Sequence, residues 1–198
     1  MLPNTGSDNF DFDSLYHVYT QVNGNELIFR EQRNYLFFLD KVKLYLLPVL
    51  DIYAYCLLPS RFHLLIAFKN RREILQRSDI ETVDFDETKT HQFLMKSFSN
   101  MLNSYAKAYN KVYGRKGSLF VDYLKRLRID DETSLLSTFR EIHNFPVKYG
   151  CTKDFSQWKY SSYYSYLKTN QFSLVKRDFL LAYFENQNDF IEFHKKNQ

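Results

Sequence analysis

Leu57-Leu-Pro-Ser-Arg61-Phe-His63-Leu-Leu-Ile-Ala-Phe68 decides the fold. Ahead of it runs Ile52-Tyr-Ala-Tyr-Cys-Leu-Leu58, and both segments are apolar, β-branched and aromatic. Pro59-Ser60 separates them. The pattern predicts two antiparallel strands joined by a tight turn. Inside the second strand stand Arg61 and His63, two residues apart. Side chains at that spacing share one face of a strand. That face is therefore either a site or open to solvent.

Working outward, Tyr16–Val22 reads as a strand and Asn23-Gly-Asn25 as a turn. Apolar positions from Glu31 to Leu47 recur at helical spacing, and Pro48 ends that helix. A short helix is expected at Arg72–Arg77 and a long one at about Thr88–Val112. The inner stripe of the long helix is Phe93, Leu94, Ser97, Phe98, Met101, Leu102, Tyr105, Ala108 and Tyr109. Gly114 follows as its C-terminal cap. Ser118–Ile129 alternates as a strand. Asp130 or Asp131 then caps a helix with Leu135, Leu136, Phe139 and Ile142 inside, which Pro146 stops. From Trp158 onward the chain reads as two or three short helical pieces.

The order strand, helix, strand, strand, helix, strand is the split βαβ arrangement. It predicts an α+β fold: a ferredoxin-like antiparallel sheet with helices on one side and a helical C-terminal extension. Residues 1–13 read as a flexible polar arm, 14–150 as the principal domain and 151–198 as its extension. The sheet's other face, or the groove between helix and sheet, is left to bind a partner.

Bulk properties narrow the class. The chain has 198 residues, 44% hydrophobic and 25% charged, which fits a globular domain rather than a disordered segment. Two cysteines, Cys56 and Cys151, give no metal or disulfide spacing, so a reducing cytoplasm is expected. The first residues lack the basic start and apolar core of a signal peptide, and no stretch suits a membrane span. Aromatic residues make up 18%, with 16 Tyr and 19 Phe. They suit either a tyrosine-rich core and surface or stacking platforms for bases.

Formal net charge is +4, yet basic residues gather in one window. Lys107, Lys111, Arg115, Lys116, Lys125, Arg126 and Arg128 fall between positions 107 and 128, with Asp122 as the acid among them. Tyr105, Tyr109, Tyr113 and Tyr123 interleave with them. Lysine and arginine neutralise phosphates, and planar rings stack unpaired bases. The window reads equally as an ordinary solvated helix end.

Several ordered stretches together resemble one known family. They are Tyr16–Phe29 (YHVYTQVNGNELIF), Tyr53–Ile66 (YAYCLLPSRFHLLI), Leu94–Phe120, Phe139–Gly150 (FREIHNFPVKYG), Trp158–Leu167 (WKYSSYYSYL) and Leu174–Lys196. The chain is similar over about Tyr16–Phe193 to the single-tyrosine HUH transposases, in the REP-associated branch. The resemblance implies an HUH-type sheet and cleavage and rejoining of single-stranded DNA. Two histidines and a side-chain amide hold a divalent metal there, and a tyrosine attacks the phosphate.

Carried over by position, the second histidine falls on His63 and the first on Arg61. The nucleophilic tyrosine falls on Glu141 and the amide ligand on Phe145. Arginine has no lone pair for a metal, and its fixed charge repels one. His63 alone is left as a metal ligand, so the metal position is expected empty, with no cofactor. An Arg61–Glu141 ion pair is expected to fill the site. The resemblance then implies a nucleoid-associated protein that binds hairpin or single-stranded DNA through the basic window without strand transfer. An active endonuclease using Mg²⁺ or Mn²⁺, with a site of His63, Glu141 and His143, is the alternative. A protein-interaction module using Trp158–Leu167 is another. His17 is expected to be structural, and His91 and His194 carry no motif. Monomer or dimer is left open.

Overall fold

The structure is a computed structural model that describes residues 8–21, 26–78, 86–120 and 124–196. Its centre is the expected hairpin. Strand β2 (Leu50–Leu58) turns at Pro59-Ser60 into β3 (Arg61–Phe68). The two pair antiparallel, with Leu58 opposite Arg61 and Cys56 opposite His63. The Pro59 carbonyl accepts from the backbone N–H groups of Ile28 and Phe29, which fixes the turn against the chain entering the first helix. Strand β1 (Leu15–Gln21) lies on the other side of β3, and β4 (Lys125–Ile129) lies beside β1. The sheet is antiparallel in the order β2-β3-β1-β4.

Helices α1 (Gln32–Tyr45) and α3 (Glu87–Val112) form the helical layer expected on one side. They cover the face carrying Val18, Phe62, Leu64 and Phe68, where Phe38 meets Phe62 and Phe98 meets Phe68. A short helix, α2 (Arg71–Ser78), follows the hairpin. Asp86 caps α3 by accepting from the Lys89 N–H, and Gly114 adopts φ 61° at its far end. Of the expected stripe, Leu94, Phe98, Met101, Tyr105 and Tyr109 are buried.

Helix α4 (Glu132–Lys148) packs across the opposite face at β2 and β3. That part of the sheet, expected to be open, is closed by hydrocarbon: Phe145 lies over His63. Asp131, rather than Asp130, is the N-cap, accepting from the Ser134 N–H. Pro146 does not stop α4. The helix ends in a Schellman arrangement, with Gly150 N–H donating to Val147 C=O and Cys151 N–H to Pro146 C=O. Gly150 takes φ 69°, which glycine tolerates without a Cβ penalty. Pro146 lies inside the helix and is buried.

Beyond Gly150 come a 3₁₀ turn (Phe155–Gln157) and helices α5 (Tyr163–Leu167), α6 (Asp178–Leu181) and α7 (Gln187–Lys195). This extension covers the outer edge of β2. Leu57 N–H donates to Tyr160 C=O, Ser162 N–H to Tyr55 C=O and Lys176 N–H to Ile52 C=O. An exposed edge strand would otherwise invite pairing with another chain. Trp158 donates its indole N–H to Leu57 C=O, and Tyr160 stacks on Tyr35 at 3.6 Å. Trp158–Leu167 is thus turned inward, against the expectation of an outward interface. Its exposed large ring is Tyr164.

Two boundaries differ from the sequence reading. Residues 8–13 are not a loose arm, because Phe10 is fully buried against Tyr16, Phe68 and Phe98. The last strand is Lys125–Ile129 rather than Ser118–Ile129. Val22 and the turn Asn23–Asn25 lie outside the described residues. Among those described, no helix is long and apolar enough to cross a membrane.

Candidate functional site

The alternation of β3 puts Arg61 and His63 on the face shared with His17 and Tyr19 of β1. His63 is buried, and its Nδ1 lies 3.1 Å from His17 Nε2. The Phe145 ring stands 4.0 Å away and the Tyr19 ring 5.5 Å, nearly parallel. Burial removes water from both imidazoles and holds them neutral. His17 is pushed down to about 4. His63 falls well below the ordinary range, from burial first and then from His17, Arg61 and Lys148. The Nε2 of His63 is buried with no hydrogen-bond partner.

Arg61 does not pair with Glu141. Its guanidinium lies 4.1 Å over the ring of Tyr149, and among the described residues no carboxylate reaches it within 4 Å. Glu141 opens instead onto a cleft lined by Ser137, Arg140, Asn144, Val147, Lys148 and Lys153. Phe145 and Tyr149 are four residues apart on one helix flank, so Tyr149 reaches the His63 ring at 6.3 Å. With Pro146 expected to end the helix, Tyr149 would have lain beyond it. The i, i+4 spacing from Phe145 was the available signal.

These residues do not fit a divalent metal. His63 offers one nitrogen, Arg61 offers no lone pair, and Phe145 offers only hydrocarbon. His143 cannot complete a set, since both its nitrogens are engaged within the fold. Nδ1 lies 2.8 Å from His194 Nε2, and Nε2 lies 2.8 Å from Ser162 Oγ. Among the described residues no three His, Cys, Asp or Glu side chains gather to hold an ion. His194 is thus a core group paired with His143, a role no local motif announces.

The basic window divides in two. Arg115 makes a fork-shaped pair with Glu26 and also reaches Asn110 and the Ser118 carbonyl. Arg126 donates to the carbonyls of Asp8 and Leu124 and lies over Phe10. Arg128 pairs with Asp130 at 2.8 Å. Lys107, Lys111, Lys116 and Lys125 are exposed and have no ion partner among the described residues. Tyr105 and Tyr109 are buried, their hydroxyls donating to the carbonyls of Ile28 and Leu27. Neither ring faces outward for stacking. Tyr123 lies outside the described residues.

With this geometry in place, comparison with known proteins adds a likeness of fold. A solved REP-associated tyrosine transposase, bound to a REP hairpin, superposes with a TM-score of 0.58 over 88% of this chain and 91% of that one. Identity between them is 14%. No family model matches the chain, and no curated protein matches it. The chain therefore has the fold of that transposase: a four-stranded antiparallel sheet with helices.

Proposed function

We propose that the chain binds DNA, as a hairpin or a single strand, and does not cut and rejoin it. The carrying observation is the ring of Phe145 over the lone donor His63, with Arg61 beside them. That arrangement has positive charge for a phosphate and no donor set for a metal. The likeness of fold to a hairpin-bound transposase supports the same partner. Four lysines without ion partners among the described residues, Lys107, Lys111, Lys116 and Lys125, supply the charge that phosphates neutralise. A place with the nucleoid in the cytoplasm belongs to the same reading.

The test is fluorescence anisotropy with a labelled DNA hairpin carrying a single-stranded tail, over a series of salt concentrations. Binding that weakens steeply with salt is expected. Absence of binding at low salt would sink the proposal.

One observation favours a second reading, a remodelled nuclease. Tyr149 is a half-exposed tyrosine lying beside Arg61. In that reading Tyr149 would become covalently linked to DNA, with Mg²⁺ or Mn²⁺ supplied from solution. A Tyr149→Phe variant separates the two readings.

A further inference from the structure

We infer that Arg61, held over Tyr149 beside the buried His63, binds one backbone phosphate of single-stranded DNA directly, with no metal ion between protein and phosphate. This rests on the DNA-binding reading above and assigns it a specific phosphate contact.

The first strand of argument is the state of Arg61. Its guanidinium carbon lies 4.1 Å from the centre of the Tyr149 ring. Stacking uses the face of the guanidinium and leaves the N–H groups in its plane. None of those N–H groups has a hydrogen-bond partner among the described residues, in contrast to Arg115, Arg126 and Arg128. An arginine fixed by an aromatic ring, with its fork vacant, is oriented for bidentate capture of an oxyanion.

The second strand is the orphan nitrogen. Buried polar atoms nearly always have a partner. His63 Nε2 has none, while Nδ1 is spent on His17. If His17 Nε2–H donates to His63 Nδ1, the His63 proton must sit on Nε2. The orphan is then an N–H shut in under the Phe145 ring with no lone pair for a metal, so a phosphate at this place meets Arg61 directly.

The third strand is the surrounding charge. Lys148 lies on the Phe145 ring, and it and Arg61 both act on the His63 imidazole. Glu141 is the acid of the adjoining cleft, where Arg140, Lys148 and Lys153 outnumber it. A nucleic-acid phosphate is favoured over a carboxylate because aromatic rings flank Arg61 and His63. Tyr19 and Tyr149 both lie close to parallel with the His63 ring. Lys125 stands opposite Tyr19 across the β1–β4 pair. Rings and cations alternating along a sheet face suit bases and their phosphates.

The probe is fluorescein-labelled ten-nucleotide oligothymidylate, measured by anisotropy at low salt in EDTA. Wild type is expected to bind in EDTA with no gain from added Mg²⁺. Arg61→Ala is expected to weaken binding about tenfold, and Arg61→Lys to recover only part, since an ammonium lacks the fork. In NMR spectra the oligonucleotide should shift the His63 ring signals of wild type and leave those of Arg61→Ala unmoved. The Arg61 side chain makes no hydrogen bond among the described residues, so the thermal midpoint of Arg61→Ala serves as the control for folding.

Wild-type binding abolished by EDTA would overturn the inference. So would Arg61→Ala binding like wild type while a Lys107/Lys111/Lys116 triple alanine variant binds weakly; in that case the DNA-binding reading survives alone. If neither the oligothymidylate nor a hairpin binds wild type, both fall.

Discussion

Acid should unfold this protein through its histidines, in a pH window above that of its carboxylates. The core of the effect is a relay joining α4, α5 and α7 to strand β2. His194 Nδ1–H donates to Phe190 C=O at 2.9 Å, which leaves Nε2 to accept from His143 Nδ1–H. His143 Nε2 then accepts from Ser162 Oγ–H, and Ser162 Oγ accepts from the Tyr55 N–H. This placement of protons satisfies every group with both rings neutral. An added proton must enter a buried site and break one link. Burial lowers His194 to about 4, with Arg140 opposing protonation as well, and it lowers His143 well below the ordinary range. His17 is also lowered to about 4.

The direction follows from proton linkage. The unfolded chain binds these protons near pH 6.5, and the folded chain binds those of His194 and His17 only near 4. Each histidine's contribution is therefore fully present above pH 6.5, declines as pH falls, and is gone below about 4. At pH 5 the loss is about 2 kcal/mol for His194 and about 2 kcal/mol for His17, set against total stabilities of roughly 5–15 kcal/mol. His63, His143 and His91 add in the same sense. The exposed N-cap carboxylates Asp86 and Asp131 are lowered from the ordinary aspartate value, so they act below that value. The single tryptophan, Trp158, is bonded to β2 and reports unfolding by fluorescence. Urea midpoints should fall clearly from pH 7 to pH 5. A His194→Phe variant, whatever its stability at pH 7, should lose about 2 kcal/mol less than wild type over that interval. A midpoint constant from pH 7 to 5, or full acid sensitivity in the variant, would refute the reasoning.

Other substitutions test separate elements. Phe145→Ala removes a fully buried ring over His63 and should cost about 3–5 kcal/mol in urea unfolding; a loss under about 1 kcal/mol would contradict its burial. Gly150→Ala meets no atom within 4 Å, yet its positive φ should cost about 1 kcal/mol by calorimetry, and no change would argue against the Schellman ending. Asp131→Ala should cost about 1 kcal/mol through loss of the α4 cap, while Asp130→Ala should not match it. The Lys107/Lys111/Lys116 triple alanine variant should flatten the salt dependence of hairpin binding by roughly 2 to 3 in slope; an unchanged slope would place the phosphates elsewhere.

The hairpin of β2 and β3 could be read from the chain because its signals are local: two apolar runs and a Pro-Ser break. Helix α3 was equally legible from its stripe and from Gly114. Pro146 misled, since its missing N–H is a local fact, whereas the Gly150 ending depends on hydrogen bonds made beyond it. Phe10 lay in a polar stretch, and only Tyr16, Phe68 and Phe98 reveal that it is core. The basic window was visible as composition, but its division was not. Glu26 and Asp8, which occupy Arg115 and Arg126, are far away in sequence. The Arg61–Glu141 pair failed for a related reason: Tyr149, one turn beyond Phe145, offers Arg61 an aromatic face. The relay of His143, His194 and Ser162 has no sequence signature, because its members meet only after α7 folds back on α4.

The most direct test of the central claim is one incubation of the protein with a labelled hairpin carrying a single-stranded tail, in Mg²⁺ or Mn²⁺. One half is run on a native gel and the other on a denaturing gel. The account predicts a retarded, salt-sensitive complex on the first and no covalent protein–DNA adduct on the second. A covalent adduct that vanishes in Tyr149→Phe would contradict it.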